Sequence, residues 1–351
     1  MRSRVRVDGE AGGLPVPVAA TRRSLRGAAR TSRRAEGWVA LAFLLPLLAV
    51  FAAFYLWPAL NTILSSLFRW GLLNPWKATD PSRWQFVGLR NYAHVLTDGR
   101  FWNDALNTAV WLLLFPLLVT GFSLAVSILV WHARRGRGAF RTVFILPMTI
   151  SLTAAGVIWT LVYSPDAGSL TALTRWLHLD GPVHWGPVHF QASQWLSNPG
   201  YIELGFARLR LANVSLIVPA FWAFTGFGVV TFTAGLSAIP EELVDAARVD
   251  GASGRQVVRH VLIPALRGPL LIVAAVSVIF GLRTFDIVWV MTKGGPGQDT
   301  EVLAVLLWKQ AFAFLDSPQA GLATALAVVL SVTLVALALP YRRGLLRGGS
   351  G

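Results

Sequence analysis

The chain has 351 residues, of which 54% are hydrophobic and only 14% are charged, whereas about a quarter of the residues in a soluble domain are charged. Its net charge of +14 would suit nucleic acid, but the arginines lie in an N-terminal tail and beside apolar runs. We therefore interpret them as membrane topology signals and exclude a nucleic-acid partner. Because the chain has no cysteine, disulfides, thiolate metal sites and a cysteine nucleophile are excluded.

The N-terminal residues 1–36 show neither helical nor strand periodicity, which predicts a disordered basic tail rather than a signal peptide. After this tail, six stretches are apolar enough to cross a bilayer, which requires about 20 mostly apolar residues. The six predicted spans are 37–68 with its apolar core at 38–60, 105–131, 142–163, 211–236, 268–291 and 321–339.

The distribution of arginine predicts the orientation of these spans. The loop after the second span carries Arg134, Arg135, Arg137 and Arg141 without an acidic residue. The N-terminal tail, the loop after the fourth span and the C-terminal residues 342–351 are also basic, and all four segments fall on one side of a six-span arrangement. Since basic loops remain in the cytoplasm, we expect both termini to be cytoplasmic.

Many tryptophans lie in the segments that this arrangement places outside. Rings at the headgroup level of a bilayer explain them, and stacking on a sugar or a partner protein is the alternative. The residues concerned are Trp70, Trp76, Trp84, Trp102, Trp176, Trp185 and Trp195.

The loop 237–266 between the fourth and fifth spans is too polar to cross a membrane and too regular to be irregular coil. Pro240 followed by two glutamates predicts a helix start, and Asp250-Gly251 predicts a turn. Ser253 and Gln256 form a capping-box pattern that opens a second helix. Small apolar residues at Ala246 and Ala247, together with Leu243, predict a helix face that either docks into a groove of a partner or lies on lipid.

This loop resembles the cytoplasmic signature of the permease subunits of binding-protein-dependent ABC importers. That signature reads Glu-Ala-Ala, three residues, Gly, nine residues, Ile, one residue, Leu-Pro. The chain keeps the spacing with three conservative changes, at Asp245, Val261 and Ile263. The resemblance assigns contact with an ATPase subunit to Glu242, Asp245, Ala246, Ala247, Asp250, Gly251, Ala252, Val261, Ile263 and Pro264.

Other stretches resemble the carbohydrate branch of that family, the maltose and glycerol-phosphate type of sugar permease. They are VGLRNYAHVLTD, FWNDALNT, FRTVFILP, AGLSAIPEEL, FDIVWVMTKGGPGQDTE and WKQAFAF. The resemblance implies an all-α integral membrane protein with six transmembrane helices, in which 37–104 form the first helix and an outer loop and 105–341 form a type-1 ABC importer permease core. It further implies a second homologous permease, two cytoplasmic ATP-binding subunits, an extracytoplasmic sugar-binding protein and a location in the bacterial plasma membrane.

Motifs for catalysis and for cofactors are missing from the sequence. No G-x-x-x-x-G-K-[ST] phosphate loop occurs, so ATP and Mg²⁺ are expected to be used by a partner ATPase rather than bound by this chain. The histidines lack the spacing of metal ligands. An ion-coupled secondary transporter remains the alternative function, but such transporters usually contain an internal repeat, and the loop 237–266 has no second copy.

Two ionisable residues interrupt the fifth predicted span. Arg283 and Asp286 each cost roughly 2.5–3.5 kcal/mol at the centre of a membrane on insertion scales. Spaced i, i+3 on a helix, they either pair with each other or line the path of the solute. We therefore predict a substrate pathway that includes Trp222, Arg283, Asp286 and Trp289.

Overall fold

The computed structural model describes residues 38–39, 41–71, 85–132, 136–179, 181–185, 188–191, 194–197, 200–203, 208–313 and 319–348. The predicted basic tail, as well as Trp76 and Trp84, lies outside the described residues. The chain divides into two units, Met1–Asn61 and Thr62–Gly351. The sites described below lie in the second unit.

Helices dominate the described residues. In chain order they are α1 (Leu41–Ser65), α2 (Arg90–Thr97), α3 (Gly99–His132), α4 (Arg137–Ile145), α5 (Leu152–Val162), α6 (Ser169–Trp176), α7 (Leu211–Ser237), α8 (Glu241–Val249), α9 (Gly254–Ala265), α10 (Arg267–Leu282), α11 (Asp286–Met291), α12 (Leu303–Ala313) and α13 (Ala320–Gly348). The strands are β1 (Phe68–Arg69), β2 (Gln85–Phe86), β3 (Pro182–Trp185), β4 (Val188–Gln191), β5 (Tyr201–Glu203) and β6 (Arg208–Arg210). The strands pair antiparallel in the orders β1-β2 and β3-β4-β5-β6.

Within the described residues, four helices are long and apolar enough to cross a membrane by themselves, namely α1, α3, α7 and α13. Two bent helix pairs raise this number to six when each pair counts as one span. The predicted all-α membrane fold is therefore confirmed, and the short strands are confined to connections between helices.

The third predicted span is not one straight helix. Helix α4 continues as a 3-10 turn over Leu146–Thr149, and α5 then leaves at an angle of 101°. Pro147 lies at the start of the 3-10 turn, and the Ser151 hydroxyl caps α5 by accepting a hydrogen bond from the Ala154 N–H at 3.2 Å. The proline and the new N-cap together explain why the apolar run changes direction here.

The fifth predicted span is also divided. Helix α9 meets α10 at 69°. Helix α10 ends at Leu282, and three residues separate it from the start of α11 at Asp286. Arg283 is the C-cap residue of α10, and Asp286 opens the first turn of α11. Each charge thus complements the dipole of the helix end beside it, which explains why a break is tolerated between them.

Close packing of α3, α7 and α10 builds the core of the second unit. Trp111 and Phe115 of α3 are fully buried against Leu216 of α7 and Val273 of α10. The hydroxyl of Ser123 donates to the Thr225 carbonyl at 3.1 Å. Small residues and interhelical hydroxyl contacts of this kind are typical of helix association in membranes.

A buried group of polar side chains fastens the segment between α11 and α12 to the N-terminal half of α3. We call Asp104, Asn107, Thr108, Asn213, Glu301 and Lys309 the polar junction. Asn107 Nδ2 donates to the Glu301 carbonyl at 2.8 Å, Asn213 Nδ2 donates to Asn107 Oδ1 at 3.0 Å, and Lys309 forms an ion pair with Glu301. These contacts hold the segment between α11 and α12 against the N-terminal parts of α3 and α7.

Candidate functional site

The loop between α7 and α10 forms the helix, turn and second helix that its sequence predicts. Glu241 and Glu242 occupy the first turn of α8. Gly251 has φ +83°, a conformation that disfavours any residue with a Cβ. Ser253 and Gln256 form the predicted capping box, in which the Ser253 N–H donates to Gln256 Oε1 at 2.7 Å.

One face of α8 packs against the chain itself. Val244 is buried and Ala247 is half-buried in a cluster with Leu236 of α7 and Leu262 of α9. The bend residue Leu266 is also fully buried in this cluster. The cluster therefore joins α8 to the cytoplasmic ends expected for α7 and α10, so that a displacement of α8 reaches both helices.

The predicted face of Leu243, Ala246 and Ala247 is divided in the structure. Ala247 points towards the cluster, whereas Leu243 and Ala246 are exposed. The three residues therefore do not share one exposed face, because the i, i+4 spacing also suits the inward stripe that Val244 defines. The contact of Ala247 with an ATPase subunit stays a prediction.

The opposite face of α8 is uncovered within the described residues. It carries Glu242, Asp245, Ala246 and Val249, all exposed, and Val249 is 87% exposed. The carboxylates of Glu242 and Asp245 lie on this face beside the apolar side chains of Ala246 and Val249. The geometry thus offers a small, shallow docking face about two helical turns long.

The second half of the motif lies in α9 and its bend rather than on that exposed face. Val261, Ile263 and Pro264 are all half-buried, and Val261 packs against the cluster. Pro264 occupies the first turn of the last helical segment of α9, immediately before the bend at Leu266. These residues shape the connection to α10, while Ala252 completes the packing of the turn.

A second candidate site surrounds the break between α10 and α11. Arg283 and Asp286 are both exposed, and they form no ion pair with each other or with any other described residue. The i, i+3 pairing considered for a continuous helix does not occur, because the break rotates Asp286 away from the face of Arg283. The two charges are therefore available to another molecule.

A cavity of about 380 Å³ opens beside Arg283 between α10, α12 and α13. Its walls are mainly apolar and include Phe285 and Trp308. Trp289 stacks on Phe285 at 5.7 Å between ring centroids and lies 4.2 Å from Trp308. Sequence reasoning missed Phe285 and Trp308 as part of the site, although both stand in the stretches FDIVWVM and WKQAFAF.

The fourth predicted pathway residue belongs to a different aromatic group. Trp222 of α7 lies 6.1 Å from Trp159 of α5, and Trp159 contacts Tyr163 at 5.2 Å. No described ring contact connects this group with Trp289. The structure therefore brings Arg283, Asp286 and Trp289 to one break and places Trp222 beside Trp159 instead.

Residues 117–341 match the protein family described as the binding-protein-dependent transport system inner membrane component. The chain belongs to this family. The match contains the whole loop between α7 and α10 and the break before α11. The permease is thus a multi-pass transport subunit of an ABC importer in the inner membrane and not an enzyme, since separate ATPase subunits hydrolyse ATP in such importers.

Relatives of the permease match it over most of their length. A probable ABC transporter permease protein of Pyrococcus horikoshii is 30% identical over 299 residues, which cover 85% of this chain and 92% of the relative. The alpha-glucoside transport system permease protein AglF of Rhizobium meliloti is 30% identical over 315 residues, which cover 88% and 83%.

The fold of the permease is also similar to that of a solved structure. A chain in the crystal structure of a bacterial ABC transporter involved in the import of the acidic polysaccharide alginate superposes with a TM-score of 0.71. The similarity covers 91% of the permease and 99% of that chain at 16% sequence identity. At this identity the superposition supports the fold alone, and the assignment of individual residues rests on the geometry above.

Proposed function

We propose that the permease forms half of the translocation pathway of an ATP-driven sugar importer and takes its conformational signal from a cytoplasmic ATPase through α8. The observation that carries this proposal is the exposed face of α8, with Val249 uncovered between acidic side chains. Val244 packs on the chain itself, while the outward face combines the exposed Val249 with the carboxylates of Glu242 and Asp245. Helices that lie on lipid are usually rich in Lys and Arg on their polar face, so the acidic outward face of α8 favours a protein partner.

Coupling then follows from the way α8 is attached. ATP binding closes two ATPase subunits, and the groove that holds α8 moves with them. Val244 and Ala247 pack against the cluster that contains Leu236 and Leu266. The movement of α8 is therefore transmitted through these packed side chains to α7 and α10. Each ligand shifts the equilibrium between inward-open and outward-open states only by its differential affinity for them.

A carbohydrate is the substrate class that the comparisons and the aromatic residues favour together. The two named relatives with a stated cargo carry alpha-glucosides and alginate. Sugar rings stack on aromatic faces, and their hydroxyls bind charged or polar side chains. We assign Trp289, Arg283 and Asp286 to one part of the path and Trp222 to another, with a second homologous permease completing it and an external sugar-binding protein delivering the sugar.

Uptake measurements test this function directly. The permease is reconstituted in proteoliposomes with its second permease, ATPase and binding protein. We expect uptake of a labelled mono- or disaccharide that requires both ATP inside the vesicles and the binding protein outside them. Uptake that persists without ATP and follows an imposed proton or sodium gradient would instead establish the ion-coupled alternative.

The orientation of the termini is part of the proposal and has its own test. The chain has no cysteine, so single cysteines report on one position each. Arg255→Cys on α9 and Ser169→Cys on α6 both replace exposed residues. With a membrane-impermeant thiol reagent on intact cells, we expect Ser169→Cys to react and Arg255→Cys to react only after the cells are opened; the reverse pattern rules out the cytoplasmic position of α8.

A further inference from the structure

A small cleft lies between the C-terminal ends of α3 and α7 and the start of α4. Its volume is about 170 Å³, enough for a phosphate group with part of a glycerol. The lining residues are Val130, Trp131, Gly138, Arg141, Thr233, Leu236 and Ser237. Neither the exposed face of α8 nor the break before α11 contributes a residue to the cleft, although Leu236 and Trp131 also belong to the cluster that packs against α8.

The cleft carries positive charge that the described residues do not neutralise. Arg141 is exposed and makes no hydrogen bond or ion pair with another described residue. Arginines also stand at positions 134 and 135 before α4 and at position 137, its first residue, without an acid among them. No carboxylate stands among the described residues that line the cleft, which makes an anion the complementary ligand.

The remaining walls indicate an amphiphilic ligand rather than a free anion. Val130, Trp131 and Leu236 form an apolar wall beside the charge of Arg141. Tryptophan is enriched at the boundary between headgroups and acyl chains, and basic pockets between transmembrane helices on the cytoplasmic side bind anionic headgroups. We propose that the cleft binds the phosphate of an anionic phospholipid of the cytoplasmic leaflet, with Arg141 as the cationic contact and the apolar wall against the glycerol and the first acyl carbons.

The binding test counts lipids that remain on the protein. The full-length permease, purified with its accompanying subunits, is placed in nanodiscs of phosphatidylcholine containing one fifth phosphatidylglycerol, and bound lipids are counted by native mass spectrometry after release. We expect the wild type to retain phosphatidylglycerol selectively. Arg141→Gln should lower that retention about fivefold, the effect of one basic residue near a membrane surface, whereas Arg141→Lys should retain most of it.

A second variant distinguishes lipid binding in the cleft from a general attraction of lipid to surface charge. Gly138 lines the cleft and a Cβ there would meet no atom within 4 Å, so Gly138→Leu adds apolar bulk at the cleft and keeps every charge. We expect Gly138→Leu to lower retention as much as Arg141→Gln does, and the control Arg267→Gln, an exposed arginine outside the cleft, to change it less than twofold. Unchanged retention in Gly138→Leu would overturn the proposal.

Free phosphate is distinguished in the same experiment. Inorganic phosphate added at 10-fold excess over the lipid should not displace phosphatidylglycerol, and full displacement would reassign the cleft to a soluble anion. The location in the cytoplasmic leaflet rests on the proposed orientation, but both leaflets of a nanodisc contain the lipid and neither ATP nor sugar is present. A failure here therefore leaves the coupling proposal intact, and a failure of sugar uptake leaves the lipid site intact.

Discussion

Ala246→Trp is expected to separate the permease from its ATPase without disturbing its fold. Ala246 is exposed on the outer face of α8, beside Glu242 and Val249, and the inward cluster does not include it. A bulky ring that overpacks a fitted interface costs roughly 1–3 kcal/mol, which weakens association about 5- to 150-fold. Co-purification of the ATPase and ATP-driven uptake should fall together, while the amount of inserted permease stays at the wild-type level.

Ala265→Trp is the matched control for this substitution. Ala265 is also an exposed alanine of the same loop, but it lies at the end of α9 and not on the docking face of α8. We expect normal assembly and near-normal transport from this variant. If Ala246→Trp also assembles normally and imports sugar at the wild-type rate, the exposed face of α8 is not the ATPase contact, and the lipid-surface interpretation of this helix replaces it.

Ala247 illustrates why that choice could not be made from the sequence. Periodicity places Leu243, Ala246 and Ala247 on one side of a helix, but it does not state which stripe the rest of the chain covers. The structure shows that Val244 defines the inward direction and that Ala247 shares it. A glutamate at position 247 would therefore disturb the packing of the permease itself, and its effect on transport would not report on docking.

The loop between α7 and α10 could nevertheless be predicted in detail, because its signals are local. A proline before two glutamates, a glycine that must take positive φ and a capping box each act within four residues. The structure has all three where the sequence places them: the helix start after Pro240, Gly251 at φ +83° and the Ser253–Gln256 cap. No tertiary contact is needed for these features to form.

The break between α10 and α11 was not predicted, because no local signal of this kind marks it in the sequence. Hydropathy reports whether a stretch prefers lipid, and residues 268–291 remain apolar throughout apart from two charges. It does not report a change of direction. The break at Arg283 becomes understandable only when the helix ends are known, since each charge then lies at the terminus whose dipole it complements. Phe285 and Trp308, which form an aromatic row with the predicted Trp289 at this break, were missed with it.

Lys309→Met is expected to have the largest effect on stability. Lys309 is the cationic partner of Glu301 in the polar junction, where Glu301 is 3% exposed and Asp104 is fully buried. Asp104 and Glu301 repel each other, and Lys309 attracts both. Removing one partner of a buried ion pair leaves an uncompensated charge and destabilises by about 3–5 kcal/mol. We expect the melting temperature of the detergent-solubilised permease, followed by tryptophan fluorescence, to fall by several degrees.

Two further variants show whether charge is the cause. Adding Glu301→Gln to Lys309→Met removes the unpaired carboxylate, so the double variant should recover part of the lost stability, and the two substitutions should be clearly non-additive. Arg248→Ala breaks the ion pair with Asp245, which has a similar formal charge but is largely exposed, and such a pair contributes about 0–1 kcal/mol. If Lys309→Met lowers the melting temperature no more than Arg248→Ala does, the stability of the junction does not depend on its buried charge. The segment between α11 and α12 is then held by the amide contacts of Asn107 and Asn213.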